Sequence, residues 1–306
     1  MHMELRHLRY FVAVAEEKNF TRASEKLFIA QPPLSRQIQQ LEEELGVTLF
    51  VRNSRPLKLT DAGNFFYEHA KQVLARTGEL KAMTQRVGNI NRILNVGFVA
   101  STLYGKLPKI IRKYRAKFNS IELRMYEMTT MEQLKALKDG KIDIGFGRVR
   151  HEDANIRRIV LREEKLIAAV PYEHPLSKSN KPINLKDLAD ENLIVFPKNP
   201  RPSYADQVLN GFKERDVHPK KIIEVRELQI AIGLVAAGEG VSIVPFSLQG
   251  MKRDDVVYLE LNEKHAYSPI IMSTRSMDKS EEIKAMLDLI YCIYDEEGIP
   301  YTREEL

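Results

Sequence analysis

FTRASEKLFIAQPPLSRQIQQ, residues 20–40, reads as two short helices joined by a tight turn. The pair begins at Phe20, and residues 21–28 supply its first helix, with Ala23 and Leu27 on one face. Ile29-Ala30-Gln31 makes the turn. Pro32 and Pro33 open the second helix, where a missing N–H is tolerated because first-turn amides have no intrahelical partner. Leu34, Ile38 and Leu41 are spaced four and three apart and face inward. Gln31, Ser35, Arg36, Gln37 and Gln39 are left on the open face. Their amides, hydroxyl and guanidinium suit base-pair edges and neighbouring phosphates, so this pair points to double-stranded DNA.

The flanking sequence extends that reading. Residues 8–17 form a first helix with Phe11, Val12 and Val14 inward. Residues 46–51 and 57–60 read as two short strands around Arg52-Asn53-Ser54-Arg55-Pro56. A hairpin carrying Arg52 and Arg55 in its loop is the wing of a winged helix-turn-helix, able to reach a minor groove or phosphates. Residues 1–60 are therefore one DNA-binding domain. The local charge is modest: six basic against four acidic residues between 20 and 60, or +2.

Residues 61–90 read as one long helix capped by Thr60, with Asp61 at the positive end of its dipole. Phe66, Ala70, Val73, Thr77, Leu80, Thr84 and Val87 recur every four and three residues. That seam argues for a partner helix; the alternative is a long helix lying on its own domain.

From 91 to 306 strands and helices alternate. Strands are expected at 93–99, 121–127, 142–146, 193–196, 222–225 and 241–244, and helices at 103–118, 131–138, 203–214 and 229–237. This is α/β organisation with largely parallel sheets. A crossing strand near 163–170 and a return near 268–274 divide it into two lobes, about 91–163 with 268–306, and about 164–267. A terminal helix, 280–294, returns to the first lobe.

Composition excludes several classes. The chain has 306 residues, 43% hydrophobic and 29% charged, enough for two or three domains. No apolar run approaches the roughly 20 residues needed to span a bilayer, and the N-terminus lacks the apolar core of a signal peptide. A single cysteine, Cys292, makes no internal disulfide, so a reducing cytoplasm is the expected home. Cys292 is expected to pack inside an apolar helix. The net charge of +5 and pI near 9.0 permit nucleic-acid binding.

Strand ends in the second half offer anion sites. Val99-Ala100-Ser101-Thr102 and Met128-Thr129-Thr130 each leave a strand and start a helix, where free N–H groups and hydroxyls meet carboxylates. Ser101 and Thr130 are thus ligand contacts or ordinary caps. Gly145-Phe146-Gly147-Arg148 is a further strand end, and Phe196-Pro197-Lys198-Asn199-Pro200-Arg201-Pro202-Ser203-Tyr204 is a fourth that begins a helix in the other lobe. Arg148 reads either as a carboxylate partner or as an ion-pair partner of Glu163 or Glu164. Enzymatic signatures are missing: no nucleophile elbow, no phosphate-binding Gly-Lys-Ser/Thr loop, no metal-ligand spacing among the histidines. No cofactor or metal is expected. A solute-binding protein whose first domain only oligomerises is the alternative from another class.

LRYFVAVAEEKNFTRASEKLFIAQPPLSRQIQQLEEELGVTLFVRNSRPLKLTDAG, with ALKDGKIDIGFGR and AIGLVAAGEGVSIVP, resembles the LysR-type transcriptional regulators over essentially the whole chain. IAQPPLSRQIQ, VGFVASTLYGKLP and EVRELQIAIGLVAAGEG resemble the branch that answers to cis,cis-muconate in catechol and benzoate degradation. The family's pattern starts at Met3, and Met1-His2 is expected to be an addition ahead of it. The resemblance implies an activator that binds promoter DNA as a dimer of dimers and recruits RNA polymerase, with a two-lobed, periplasmic-binding-protein-like effector domain. DNA contacts would come from Gln31, Pro32, Pro33, Ser35, Arg36, Gln37, Arg52 and Arg55. It also implies that Ser101 and Thr130 bind the effector's carboxylate, with Val99, Phe196, Pro202, Tyr204 and Leu228 as walls. Some branch members hold benzoate at a second site, whose arginine and tyrosine fall on Arg162 and Tyr294. A rigid dicarboxylate such as muconate suits two helix starts facing one cleft with an apolar wall between. A sibling answering to benzoate or chloromuconate is the near alternative.

Overall fold

The computed structural model describes residues 3–88 and 92–306, with Arg86 for its backbone only. Met1-His2 and the last two positions of the expected 61–90 helix lie outside the described residues. The chain packs as two units, Met1–Lys81 and Ala82–Leu306.

In the first unit α1 (Leu5–Glu17), α2 (Phe20–Lys26) and α3 (Gln31–Leu45) precede β1 (Phe50–Val51), β2 (Lys58–Leu59) and the start of α4 (Asp61–Gly88). α1 starts three residues before the expected position because Glu4 and His7 cap it: the Glu4 N–H donates to His7 Nδ1 at 3.0 Å. Asn19 caps α2 by accepting the Arg22 N–H at 3.0 Å. α3 stops at Gly46, whose φ of 70° is the left-handed conformation glycine adopts freely. Leu34, Ile38 and Leu41 are buried as the spacing predicts. Phe11 is the centre of this core, 5.2 Å from the Phe50 ring and 5.0 Å edge-on to Phe66. Phe66 and Ala70 therefore pack against their own domain. The seam read from the sequence is open farther along α4, where Val73, Leu80, Thr84 and Val87 are exposed.

The wing strands are only two residues each, pairing Phe50 with Leu59 and Val51 with Lys58, shorter than expected. The cause lies in α3. The Glu42 carboxylate accepts the N–H groups of Leu49 at 2.6 Å and Phe50 at 3.2 Å, bonds that a longer strand would have given to a neighbour.

The second unit runs β3 (Arg92–Phe98), α5 (Leu107–Lys117), β4 (Ile121–Glu127), α6 (Thr130–Lys138), β5 (Ile144–Gly147) and β6 (Ile156–Pro171). It continues through β7 (Asn192–Val195), α7 (Tyr204–Glu214), β8 (Lys221–Glu224), α8 (Leu228–Ala236), β9 (Val241–Pro245), β10 (Val256–Glu260), β11 (Tyr267–Arg275) and α9 (Glu281–Glu296). The helix expected at 103–118 is divided: a 3-10 turn, Ala100–Tyr104, precedes α5. Strand order is β4-β3-β5-β11-β6-β9-β7-β8, with β10 also on β6. β3 is parallel to β4 and β5, and β7 to β8 and β9. β6, β10 and β11 are antiparallel to their neighbours, so the sheet is mixed and not largely parallel. β6 and β11 are the reason: they carry the chain across and back between two cores.

One core joins β3, β4, β5, α5 and α9 through Leu94, Ile110, Ile144 and Ile290. The other joins β7, β9, α7 and α8 through Ile194, Val208, Ile232 and Val244. Cys292 is exposed and not packed, a correction to the expectation above. Its neighbours Tyr291, Ile293 and Tyr294 hold the buried face of α9, and 292 falls on the opposite side of the helical turn.

Candidate functional site

On the first unit, Gln31, Pro32, Pro33, Arg36 and Gln39 are exposed and Ser35 half-exposed at the start of α3. Gln31 Nε2 donates to Ser35 Oγ at 2.9 Å, holding the two polar groups as one surface. Gln37 differs from the expectation. It is half-buried, 3.1 Å from His7 Nε2 through its Oε1, and it donates to Gln40 at 2.9 Å. Because His7 Nδ1 accepts from Glu4, the neutral imidazole carries its hydrogen on Nε2 and donates to Gln37. Arg36, Arg52 and Arg55 are exposed, and no ion pair engages them among the described residues. Lys26 is instead tied to Glu17 and Glu16, which raises its pKa and removes it from the free cations. Three free guanidiniums on one helix start and one wing loop form a phosphate- and base-seeking surface.

In the second unit, one cavity opens where the carboxyl ends of β3, β4 and β5 face the start of α7 and α8. It encloses about 740 Å³ with its mouth included. Val99, Ser101, Thr130, Arg148, Phe196, Pro202, Tyr204 and Leu228 all line it. Met128, Val149 and Arg226 also line it and were not anticipated, although Met128 stands two residues before Thr130.

The apolar side is made by Phe196 and Tyr204, whose rings lie 5.2 Å apart, and by Leu228. The Tyr204 hydroxyl donates to the Ile243 carbonyl at 2.8 Å, so the cavity sees its ring. Burial pushes the Tyr204 phenol well above its ordinary pKa, only partly opposed by Arg148.

The polar side is built around Arg148, 2% exposed. Its Nε–H donates to Ser101 Oγ at 2.8 Å and its backbone N–H to Thr130 Oγ1 at 3.3 Å. Its Nη2 donates to Glu164 at 2.6 Å. The ion-pair partner is thus Glu164; Glu163 pairs with Arg150 instead. Burial pushes the Glu164 carboxyl up, but Arg148 and Ser247 outweigh it and hold the group below its ordinary range. Arg148 Nη1 is buried with no partner. Ser101 and Thr130 each accept from Arg148 and keep their own hydrogens. Arg148, Ser101 and Thr130, all groups that can donate, thus stand together in the lining of one largely apolar cavity, a set suited to an anion.

Thr130 is not the cap of α6. Thr129 is, in a reciprocal pair with Glu132, which leaves the Thr130 hydroxyl free for the cavity. Gly147 permits this packing: a Cβ there would lie 2.6 Å from Thr130 Oγ1. Gly145 does the same for Gln133, which donates to the Phe146 carbonyl at 2.9 Å. The Gly-Phe-Gly run thus seats α6 on β5.

The Arg162 guanidinium lies 6.0 Å from the Tyr294 ring, and its Nε is buried without a partner. Burial pushes the Tyr294 hydroxyl up to about 12, partly opposed by Arg162. Among the described residues no cluster of His, Cys, Asp and Glu could hold a metal, and no helix is long and apolar enough to cross a membrane.

Two family models match. The LysR substrate binding domain covers residues 88–291, and the bacterial regulatory helix-turn-helix protein of the lysR family covers residues 5–64. The chain is 52% identical to the probable cat1 operon transcriptional activator of Acinetobacter lwoffii, over 96% of this chain and 97% of that one. It is 47% identical to the HTH-type transcriptional regulator BenM of Acinetobacter baylyi, over 97% of this chain and 98% of that one. The crystal structure of full-length BenM matches with a TM-score of 0.67 at 46% identity, covering 99% of this chain and 100% of that one. The BenM effector binding domain solved with its effector benzoate matches at 0.67 and 41%, covering 70% of this chain and 97% of that one. Full-length CbnR with its target DNA matches at 0.60 and 30%, covering 95% and 99%. A winged reading head, a cavity-bearing two-core domain and these likenesses along nearly the full chain lead to one statement: the chain belongs to the LysR family of transcriptional regulators.

Proposed function

We propose that this regulator activates genes of catechol and benzoate degradation when cis,cis-muconate occupies the Arg148 cavity. The observation that carries the reading is the unpartnered, buried Arg148 Nη1 in a residue bonded to two hydroxyls, Ser101 and Thr130, that line the same cavity. A buried donor without an acceptor is costly, and a carboxylate supplies the missing acceptor. The Phe196, Tyr204 and Leu228 side suits the flat diene of such an acid. The relative named for the cat1 operon and the benzoate bound by the BenM domain support aromatic degradation as the setting.

Arg36 and its neighbours on α3, with Arg52 and Arg55 on the wing, bind promoter DNA. Two chains pair through the exposed seam of α4, and pairs associate into a homotetramer in the cytoplasm. The acid shifts that assembly only by binding one arrangement better than the other, and the favoured arrangement recruits RNA polymerase. No cofactor takes part.

A calorimetric titration of the full-length protein with cis,cis-muconate, chloromuconate, benzoate and the neutral muconate diamide tests the reading. Muconate should bind and the diamide should not. Equal binding of the diamide, or no binding by any acid, would sink it. The sibling reading, benzoate as effector, is favoured by the BenM complex and is distinguished in the same panel.

A further inference from the structure

Every polar group of Arg148 except Nη1 is held, each by a different element. Thr130 on α6 takes its N–H, Ser101 takes Nε, and Glu164 on β6 takes Nη2. Its carbonyl accepts a hydrogen bond from Gln207 Nε2. Gln207 stands on α7, whose Tyr204, Val208 and Phe212 belong to the other core. The far end of the same amide is fixed as well: the Ser268 hydroxyl, fully buried on β11, donates to Gln207 Oε1 at 2.8 Å. The Arg148 carbonyl can only accept, so it requires the NH2 end of the amide, and the Ser268 hydroxyl supplies the donor that the other end needs.

We infer that Gln207 is the positioning residue that latches the two cores around the cavity. The inference rests on the reading of that cavity as the effector site, because the latched arrangement is the one in which Arg148 and Phe196 line one space. α7 begins at Tyr204, a cavity wall, and three residues later its Gln207 grips the backbone of the cavity's anion-binding arginine. One helix thus places the apolar wall and holds the polar end at a set distance from it. Without the latch, the competent arrangement is less populated, and the apparent effector affinity falls by that fraction.

Gln207→Glu isolates the bond. It keeps an acceptor for Ser268 but turns an acceptor toward the Arg148 carbonyl. Spin labels at residues 135 and 210, in full-length protein carrying Cys292→Ser and diluted with unlabelled chains, report the distance between the cores. The parent should give one narrow distribution without ligand, and Gln207→Glu a broader or shifted one. Saturating cis,cis-muconate should restore the parent distribution in Gln207→Glu, with a Kd raised roughly fivefold, the worth of about one hydrogen bond. Ser268→Ala should act in the same direction and serves if Gln207→Glu does not fold. Identical ligand-free distributions in the parent and in the folded variants overturn the latch, whatever muconate does. If the parent fails to bind muconate, the effector reading fails, and the ligand-free distances still decide the latch.

Discussion

Arg148 donates its Nε–H to the Ser101 hydroxyl at 2.8 Å, so one acceptor site of the serine oxygen is taken and its hydrogen remains to be donated elsewhere. The same logic holds at Thr130, which accepts the Arg148 N–H. Each hydroxyl has been turned into a donor by the arginine beside it.

Ser101→Ala and Thr130→Ala should each raise the effector Kd roughly tenfold, since hydrogen bonds to a charged group contribute about 1.5–3 kcal/mol. DNA affinity without effector should not change. Calorimetry on both variants and a gel shift on the same preparations check this, and an unaltered Kd would misplace the carboxylate.

Glu164 gives a pH dependence. Its folded carboxyl lies below the ordinary value of 4.5, so its stabilisation is complete above that value and is lost as pH falls through the lower folded value. The melting temperature of the parent should therefore drop on the acid side of 4.5. Glu164→Gln should melt lower at neutral pH, by on the order of 3 kcal/mol for an unpaired buried arginine, and should lack this component of the acid loss. Parallel acid limbs in melting scans would contradict the assignment.

Gly147→Ala places a methyl 2.6 Å from Thr130 Oγ1 and 3.1 Å from its Cγ2. Overpacking of this kind costs about 1–3 kcal/mol. The expected outcome is a folded protein with a lower melting temperature and weakened effector binding, while Gly88→Ala, with open space around it, should change neither.

Arg36→Ala should remove about 1–3 kcal/mol of specific promoter affinity and relax sequence preference. Arg55→Ala should weaken all DNA sequences alike and lower the salt dependence by about 0.9 per lost phosphate contact. Binding isotherms at several salt concentrations separate the two roles.

On α4, Leu80 is 67% and Val87 89% exposed. Leu80→Glu should dissociate the paired helices and be read by sedimentation as smaller species. An unchanged assembly would remove this seam from the interface.

Periodicity carried much of this structure. The spacing of Leu34, Ile38 and Leu41 located α3 and its buried face, and apolar runs located most strands of the second unit within a residue or two. What escaped were features in which side chains compete with backbone. Glu42 shortens the wing strands by taking their amides, and no local pattern announces it. β10, with its partly exposed Val257 and Tyr258, lacked a clear alternation. The candidate cavity was legible at Ser101 and Thr130 because strand ends and hydroxyls coincide there. Glu164 was legible as one of two expected ion-pair partners of Arg148, whereas Gln207 was not, because it reaches Arg148 from a distant segment of the chain.

The Glu42 carboxylate has a consequence for operator geometry. It fastens the last turn of α3 to the first strand of the wing, so under the proposed function the exposed start of α3 and the arginine-bearing loop act as a ruler within each subunit. An operator whose two contact points are moved apart by a base pair cannot be followed by stretching that ruler. Variation in half-site spacing must be absorbed between rulers, where subunit meets subunit.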